Sequence, residues 1–253
     1  MDLKLAGKTV IVTGGSKGIG AGICTVFARE GANIVMNYRS DPEGSRQFAE
    51  SLRQKYKVKV LPVRADVTQE EECAGLYKNA LDEFKTLDVL VNNAAGGVVF
   101  KPFYEYTAQE WKKGEEGVID PAFYMSRGFV QHCIGSGRGG HIINLLSKSA
   151  FLSSSVNNLS YVAAKGALAS LTRGMAKEFI KYGIYVNGIV PGYVKTEYRH
   201  RDGEERTERV RKLLPTKEFA RPEEIGNVAA VLASSLFCQM IGAVVDCTGG
   251  TML

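Results

Sequence analysis

Short runs of β-branched and aliphatic residues recur along this chain, separated by longer stretches whose apolar positions follow a helical period. Seven of the runs read as strands: Lys8 to Thr13, Asn33 to Tyr38, Val58 to Val63, Asp88 to Asn92, His141 to Leu145, Ile184 to Ile189 and Ala243 to Asp246. Their Val, Ile and Leu content is nearly unbroken, as in Thr9-Val10-Ile11-Val12, which is what a parallel strand covered on both faces requires. Alternation of strand and helix predicts βαβ units, whose right-handed crossovers place helices on both faces of an open sheet. The expected fold is a doubly wound α/β parallel sheet of about seven strands. The stretch from Gly192 to Pro215 is the least regular, rich in Arg, Glu, Tyr and His, and is expected to be a mobile surface excursion.

Length and composition narrow the class further. With 253 residues, 45% hydrophobic and 23% charged, the chain can fill one sizeable core, so residues 1–253 are expected to form a single domain. The net charge of +5 is spread among interspersed acids and bases, and no block of like charge marks a nucleic-acid or membrane-binding tail. Five cysteines, Cys24, Cys73, Cys133, Cys238 and Cys247, are odd in number and lack a CxxC pair, which argues against a disulfide framework or a metal cluster. The first residues carry Asp2, Lys4 and Lys8 among short apolar stretches, and no apolar run approaches the length of a membrane span. A cytoplasmic protein is expected, with no nucleic-acid, membrane or metal partner.

Directly after the first strand comes Thr13-Gly14-Gly15-Ser16-Lys17-Gly18-Ile19-Gly20, opening a helix that runs to about Gly31. Glycines between a strand and a helix permit a tight turn and close approach of backbone to a pyrophosphate, and the helix start offers free amides and a positive dipole end. At the end of the second strand, where an acidic residue usually meets the ribose 2′-hydroxyl of NAD, the chain has Tyr38-Arg39-Ser40. Arg39 and Lys17 can meet a 2′-phosphate, so NADP(H) is expected over NAD(H), although neighbouring Asp41 offsets part of the positive potential.

Tyr161-Val162-Ala163-Ala164-Lys165 opens a strongly helical segment, and a spacing of four residues puts phenol and ammonium on one helix face. A free tyrosine ionises near pH 10; an adjacent ammonium favours the phenolate and lowers that value, as a general acid/base at neutral pH requires. Such a pair alone is common in structural helices, but here it stands in a series. The glycine turn, Asp66-Val67 after the third strand, Asn92-Asn93-Ala94-Ala95-Gly96 after the fourth, Ser147 after the fifth, Tyr161 with Lys165, and Pro191-Gly192 after the sixth follow one another along the chain. Over nearly its whole length the chain resembles the short-chain dehydrogenase/reductase family, whose Rossmann-type fold carries hydride transfer between a nicotinamide and a carbonyl or alcohol.

The resemblance implies that Ser147 hydrogen-bonds the substrate oxygen, Tyr161 exchanges the proton, and Lys165 supports it while gripping the nicotinamide ribose. It implies that Gly14, Ser16, Lys17, Gly18, Ile19 and Gly20 cradle the pyrophosphate, that Asp66 and Val67 flank the adenine, and that Asn93, Ala94, Ala95 and Gly96 line the cofactor. Pro191, Gly192, Val194 and Thr196 would lie beside the nicotinamide amide. The helix from Glu223 to Ala233, with the last strand, resembles the surface through which the family forms homodimers and homotetramers.

Two departures stand out. Counting from Trp111, the position that usually holds a relay asparagine is Val118, with Asp120 the nearest polar side chain and Pro121 interrupting the helix. Cys247 replaces the aspartate commonly found before Gly249-Gly250. Two alternatives stay open at this point: an enoyl- or dienoyl-CoA reductase-like activity, suggested by Asn93 to Gly96 with Val118 to Asp120, and a dinucleotide-binding protein that no longer turns over.

Overall fold

The structure is a computed structural model that describes residues 1–152, 156–196 and 203–253. Seven parallel strands form one sheet: β1 (Thr9–Val12), β2 (Asn33–Tyr38), β3 (Val60–Arg64), β4 (Val89–Asn92), β5 (Gly140–Leu145), β6 (Ile184–Pro191) and β7 (Val244–Cys247), in the order β3-β2-β1-β4-β5-β6-β7. The helices between them are α1 (Gly18–Arg29), α2 (Pro42–Tyr56), α3 (Glu70–Phe84), α4 (Ala108–Ser136), α5 (Leu159–Phe179), α6 (Glu204–Leu213) and α7 (Pro222–Leu232). All seven predicted strands form, with ends displaced by a residue or two. Strand β3 starts at Val60 rather than Val58 because Lys57, in the left-handed region at φ 58, closes α2 just before it. Pro62 is accommodated in β3 because that strand lies at the sheet edge, where one side needs no ladder bond.

Alternating residues of each strand feed opposite faces. Val10, Val12, Ile34 and Met36 pack under α1, α2 and α7 with Ile23, Phe27, Leu52 and Ile225, whereas Ile11, Val35, Leu90 and Ile142 pack under α3, α4 and α5 with Leu76, Phe129 and Met175. Each such side chain, fully withdrawn from water, contributes about 1.5–3 kcal/mol, and the two layers clamp the sheet from both sides. On the first face α1 meets α7 closely enough that a Cβ on Gly22 would lie 2.3 Å from the Pro222 carbonyl carbon, so that contact requires glycine.

In its described parts, residues 192–196 and 203–215, the segment from Gly192 to Pro215 is more regular than its composition suggests. Val194 forms a parallel bridge with Ala220, and Glu204–Leu213 is the helix α6. The charges that made it read as loop alternate around a helix surface, with Arg211 paired to Glu208 at 2.8 Å. Arg199 and Arg201, part of the predicted excursion, lie outside the described residues.

Strand order reverses between β1 and β4, where the chain, having added β2 and β3 on one side of β1, crosses to the other. The loops at the carboxyl ends of these strands diverge there and leave a crevice, the usual ligand position in an open α/β sheet.

Candidate active site

The turn after β1 is dictated by its glycines. Gly14 and Gly18 sit at φ +61 and +54, a region open to glycine, and a Cβ on Gly20 would stand 2.1 Å from the Gly14 carbonyl oxygen. Two buried polar side chains fix the turn to its neighbours. Asn37 of β2 accepts from the Gly14 amide at 3.1 Å and donates to the Ala65 carbonyl at 2.9 Å, while the Thr13 hydroxyl accepts from the amides of Asn93 and Ala94 at 2.9 and 3.0 Å. Asn93 returns the link by donating to the Thr13 carbonyl at 2.9 Å.

Between these loops lies a cavity of about 340 Å³, lined by Gly14, Ser16, Lys17, Tyr38, Arg39, Ser40, Asp66, Val67 and Asn93 to Gly96. These residues fit one half of a dinucleotide: a glycine turn leading into a helix whose first amides have no side-chain cap, an apolar slot and polar edges. The cation positions are more guarded than the sequence implies. Lys17 pairs with Asp41 at 2.8 Å, and Arg39 stands 3.6 Å from Asp66. Lys17 and the Gly44 amide hold the Asp41 carboxyl below its ordinary value. For Asp66, burial pulls upward, but hydrogen bonds from Thr68 and the nearby Arg39 outweigh it and hold that carboxyl low as well.

The catalytic candidates assemble at the ends of β5 and α5. Ser147 caps a single helical turn, accepting from the Ser149 amide at 3.2 Å, and its hydroxyl stands near enough to the Tyr161 phenol to ease its ionisation. Lys165, only 3% exposed, donates to the carbonyl of Leu145 at 2.5 Å and lies 5.9 Å from the Tyr161 ring centre. The electrostatic balance differs from the spacing argument: burial pushes the Tyr161 phenol up, and Ser147 opposes it only in part. Burial also lowers the Lys165 ammonium to about 8. The two share a helix face as expected, but burial decides the direction at the phenol, and the Lys165 ammonium donates to the strand carbonyl of Leu145.

Val118 lies on α4 with 2% exposure, in an apolar cluster with Leu146, Ala164 and Leu168 against which Tyr161 packs. Nearby, Pro121 lacks the amide that would bond the Gly117 carbonyl within the helix, and that carbonyl instead accepts from the Gly96 amide at 2.9 Å. Deeper, Asn92 donates to Ser126 at 3.0 Å and to Asn144 at 2.9 Å, and Asn144 donates to Thr172 at 2.9 Å, a polar chain that ties α4 and α5 to the sheet just below the site.

The remaining predicted positions border the crevice less directly. Ile19 packs on the α1 side of the core, and Val194 is buried beside β6. The Gly192 backbone abuts Thr248, 2.7 Å from where a Cβ would lie, and the Thr196 methyl faces Gly18. Pro191 ends β6. Sequence reasoning missed Asn37, for which a lone Asn inside an otherwise apolar strand was the signal, and it gave Thr13, Gly117 and Pro121 no part in fastening the loops. A larger hollow of about 460 Å³ between α3 and α4 contains none of these groups.

Residues 8–207 match the family model for short chain dehydrogenases. The chain is 35% identical to glucose 1-dehydrogenase 2 of Bacillus subtilis, over 98% of this chain and 96% of that protein. It is 34% identical to 3beta-hydroxysteroid dehydrogenase 1 of Eggerthella lenta, over the whole of this chain and 95% of that one. Among solved structures, L-sorbose reductase of Gluconobacter frateurii, complexed with NADPH and L-sorbose, superimposes with a TM-score of 0.92 at 32% identity, covering 100% of this chain and 99% of that one.

Proposed function

This chain belongs to the short-chain dehydrogenase/reductase family, and from that membership we propose an NADP(H)-dependent oxidoreductase that interconverts a carbonyl and a secondary alcohol with Tyr161 as general acid/base. The observation that carries the reading is the hydroxyl pair of Ser147 and Tyr161 with the buried Lys165 ammonium on the same helix face. Bound NADPH would supply the hydride. In the reductive direction Tyr161 gives its proton to the carbonyl oxygen, and Ser147 donates a hydrogen bond to the same oxygen as negative charge develops there. Lys165 then stabilises the phenolate left behind; its charge, out of water and close by, acts more strongly than on a surface.

The glycine turn and the opening amides of α1 would hold the pyrophosphate, with Asp66, Val67 and Asn93 to Gly96 along the nucleotide. Lys17 and Arg39 would exchange their carboxylate partners for a 2′-phosphate, which supports NADP(H), while NAD(H) remains a substrate without that gain. Residues 1–253 act as one catalytic unit in the cytoplasm, the segment 192–215 covers a small-molecule substrate, and α7 with β7 joins copies into a homodimer or homotetramer.

The test is NADPH consumption with a panel of ketones and, in parallel, a conjugated enoyl thioester, using wild type and Tyr161→Phe. Ketone reduction that disappears with the phenol supports the proposal. Reduction confined to the thioester moves the activity to double-bond chemistry, and dinucleotide binding without turnover of either removes the catalytic assignment.

A further inference from the structure

The residue after Ser147 is a lysine, and its placement says something about what the site binds. The loops following β5 and β6 emerge side by side, because the two strands run in parallel register through Leu145 and Ile189. The first loop carries Ser147 and Lys148; the second carries Tyr193, immediately after Pro191-Gly192. The Lys148 ammonium lies 3.9 Å from the centre of the Tyr193 ring, well inside the range of a cation–π contact, and the ring is braced edge-on by Phe219 with centres 6.3 Å apart.

The cleft's two lining cations have carboxylates, Lys17 with Asp41 and Arg39 with Asp66, and Lys101 on the loop after β4 has Glu110. Among the described residues no acidic oxygen lies within ion-pair distance of Lys148, and an aromatic face is what holds it. A ring attracts the charge but accepts none of the three ammonium protons in the way a carboxylate does. It also confines a long side chain that otherwise has much rotamer freedom to lose. The result is a half-buried, pre-positioned point charge, carried by the residue next in the chain to Ser147.

We propose that Lys148, held on Tyr193, is the specificity-determining residue of this site and selects substrates that carry a carboxylate near the reacting carbonyl or alcohol, that is, oxo acids or hydroxy acids. The inference rests on the hydride-transfer reading above and adds the substrate class to it. A single lysine offers one positive charge with three rotatable donors, which suits a monoanion; the bidentate fork of an arginine is not needed.

The experiment compares NADPH-dependent reduction of pyruvate, acetoacetate and levulinate with that of their methyl esters, which keep the carbonyl and remove the charge. Wild type is expected to prefer at least one acid over its ester in kcat/KM, through a lower KM for the acid. Loss of a charge-assisted hydrogen bond is about 1.5–3 kcal/mol, so Lys148→Met should shrink the acid-over-ester ratio by roughly 10- to 150-fold. Lys148→Glu should invert the ratio, and Lys148→Arg should recover part of it. Reduction of the esters or of neutral ketones with no acid preferred, or an acid-to-ester ratio that Lys148→Met leaves in place, overturns the assignment while hydride transfer stands. If no carbonyl of either kind is reduced by wild type, the hydride-transfer reading falls and this inference with it.

Discussion

The amide of Gly96 donates to the carbonyl of Gly117 at 2.9 Å, a bond between the loop after β4 and the middle of α4 that exists because Pro121 leaves that carbonyl without a helical partner. The approach is so close that a Cβ on Gly117 would stand 2.4 Å from the Gly96 carbonyl group, and one on Gly97 would stand 1.8 Å from the Lys113 carbonyl oxygen. A helix break is thereby turned into a fastening for the loop that lines the crevice.

Gly117→Ala is accordingly expected to displace residues 93 to 97 and weaken dinucleotide binding at least tenfold, with a cost to stability of about 1–3 kcal/mol from overpacking. Fluorescence titration with NADPH alongside thermal unfolding checks both. Affinity equal to that of wild type would show that the loop's position does not depend on this contact.

Val118→Asn is expected to reduce stability by about 1–3 kcal/mol, because the amide would enter the apolar cluster of Leu146, Ala164 and Leu168 with no partner there. It is not expected to raise kcat at any pH, since the neighbouring carbonyl of Gly117 is already engaged. A large gain in rate would reveal a proton route that the valine impairs.

Lys165 sets a pH dependence of folding. Its ammonium is lowered to about 8 in the folded protein from 10.5, so the unfolded chain binds more protons between those values and stability rises with pH across that window. Below about pH 8 the buried charge costs on the order of 3 kcal/mol. Lys165→Met should therefore melt higher than wild type at pH 7, and the difference should narrow as pH approaches 10. Melting curves without dinucleotide read this directly; a difference that is constant with pH would show that the charge is not the cause.

Asp41→Asn releases Lys17 from its carboxylate while leaving an oxygen to accept from the Gly44 amide, and asparagine tolerates the left-handed φ of 64 at that position. The NADPH-to-NADH preference in kcat/KM should rise about two- to fivefold, the scale of an exposed ion pair. An unchanged ratio would mean that Lys17 does not meet the 2′-phosphate.

Much of this molecule is legible in its sequence for a specific reason. A parallel strand under helices on both faces must be apolar at every position, so β1 and β4 announce themselves as unbroken runs, and their separation by helical stretches leaves little choice of fold. The glycine turn and the Tyr161/Lys165 spacing are equally local, each set by residues close in the chain. What sequence does not reveal depends on partners far away. Asn37 looks like an imperfection in β2 until it is seen holding the Gly14 amide 23 residues back. The spacing of Tyr161 and Lys165 fixes a shared face but says nothing of the Leu145 carbonyl that draws the ammonium aside. Charges between Gly192 and Pro215 obscured α6 because a solvated helix and a polar loop have similar composition.

The crossover between β1 and β4 has a mechanical corollary. One wall of the crevice comes from the first 70 residues and the other from segments beyond residue 90, and the two pieces meet along the β1–β4 pairing, with Asn93 and Thr13 stitching the rim. Any occupant touching both walls acts as a rivet across the seam, so the filled protein should resist heat and proteolysis as a whole, not merely at the loops the occupant covers.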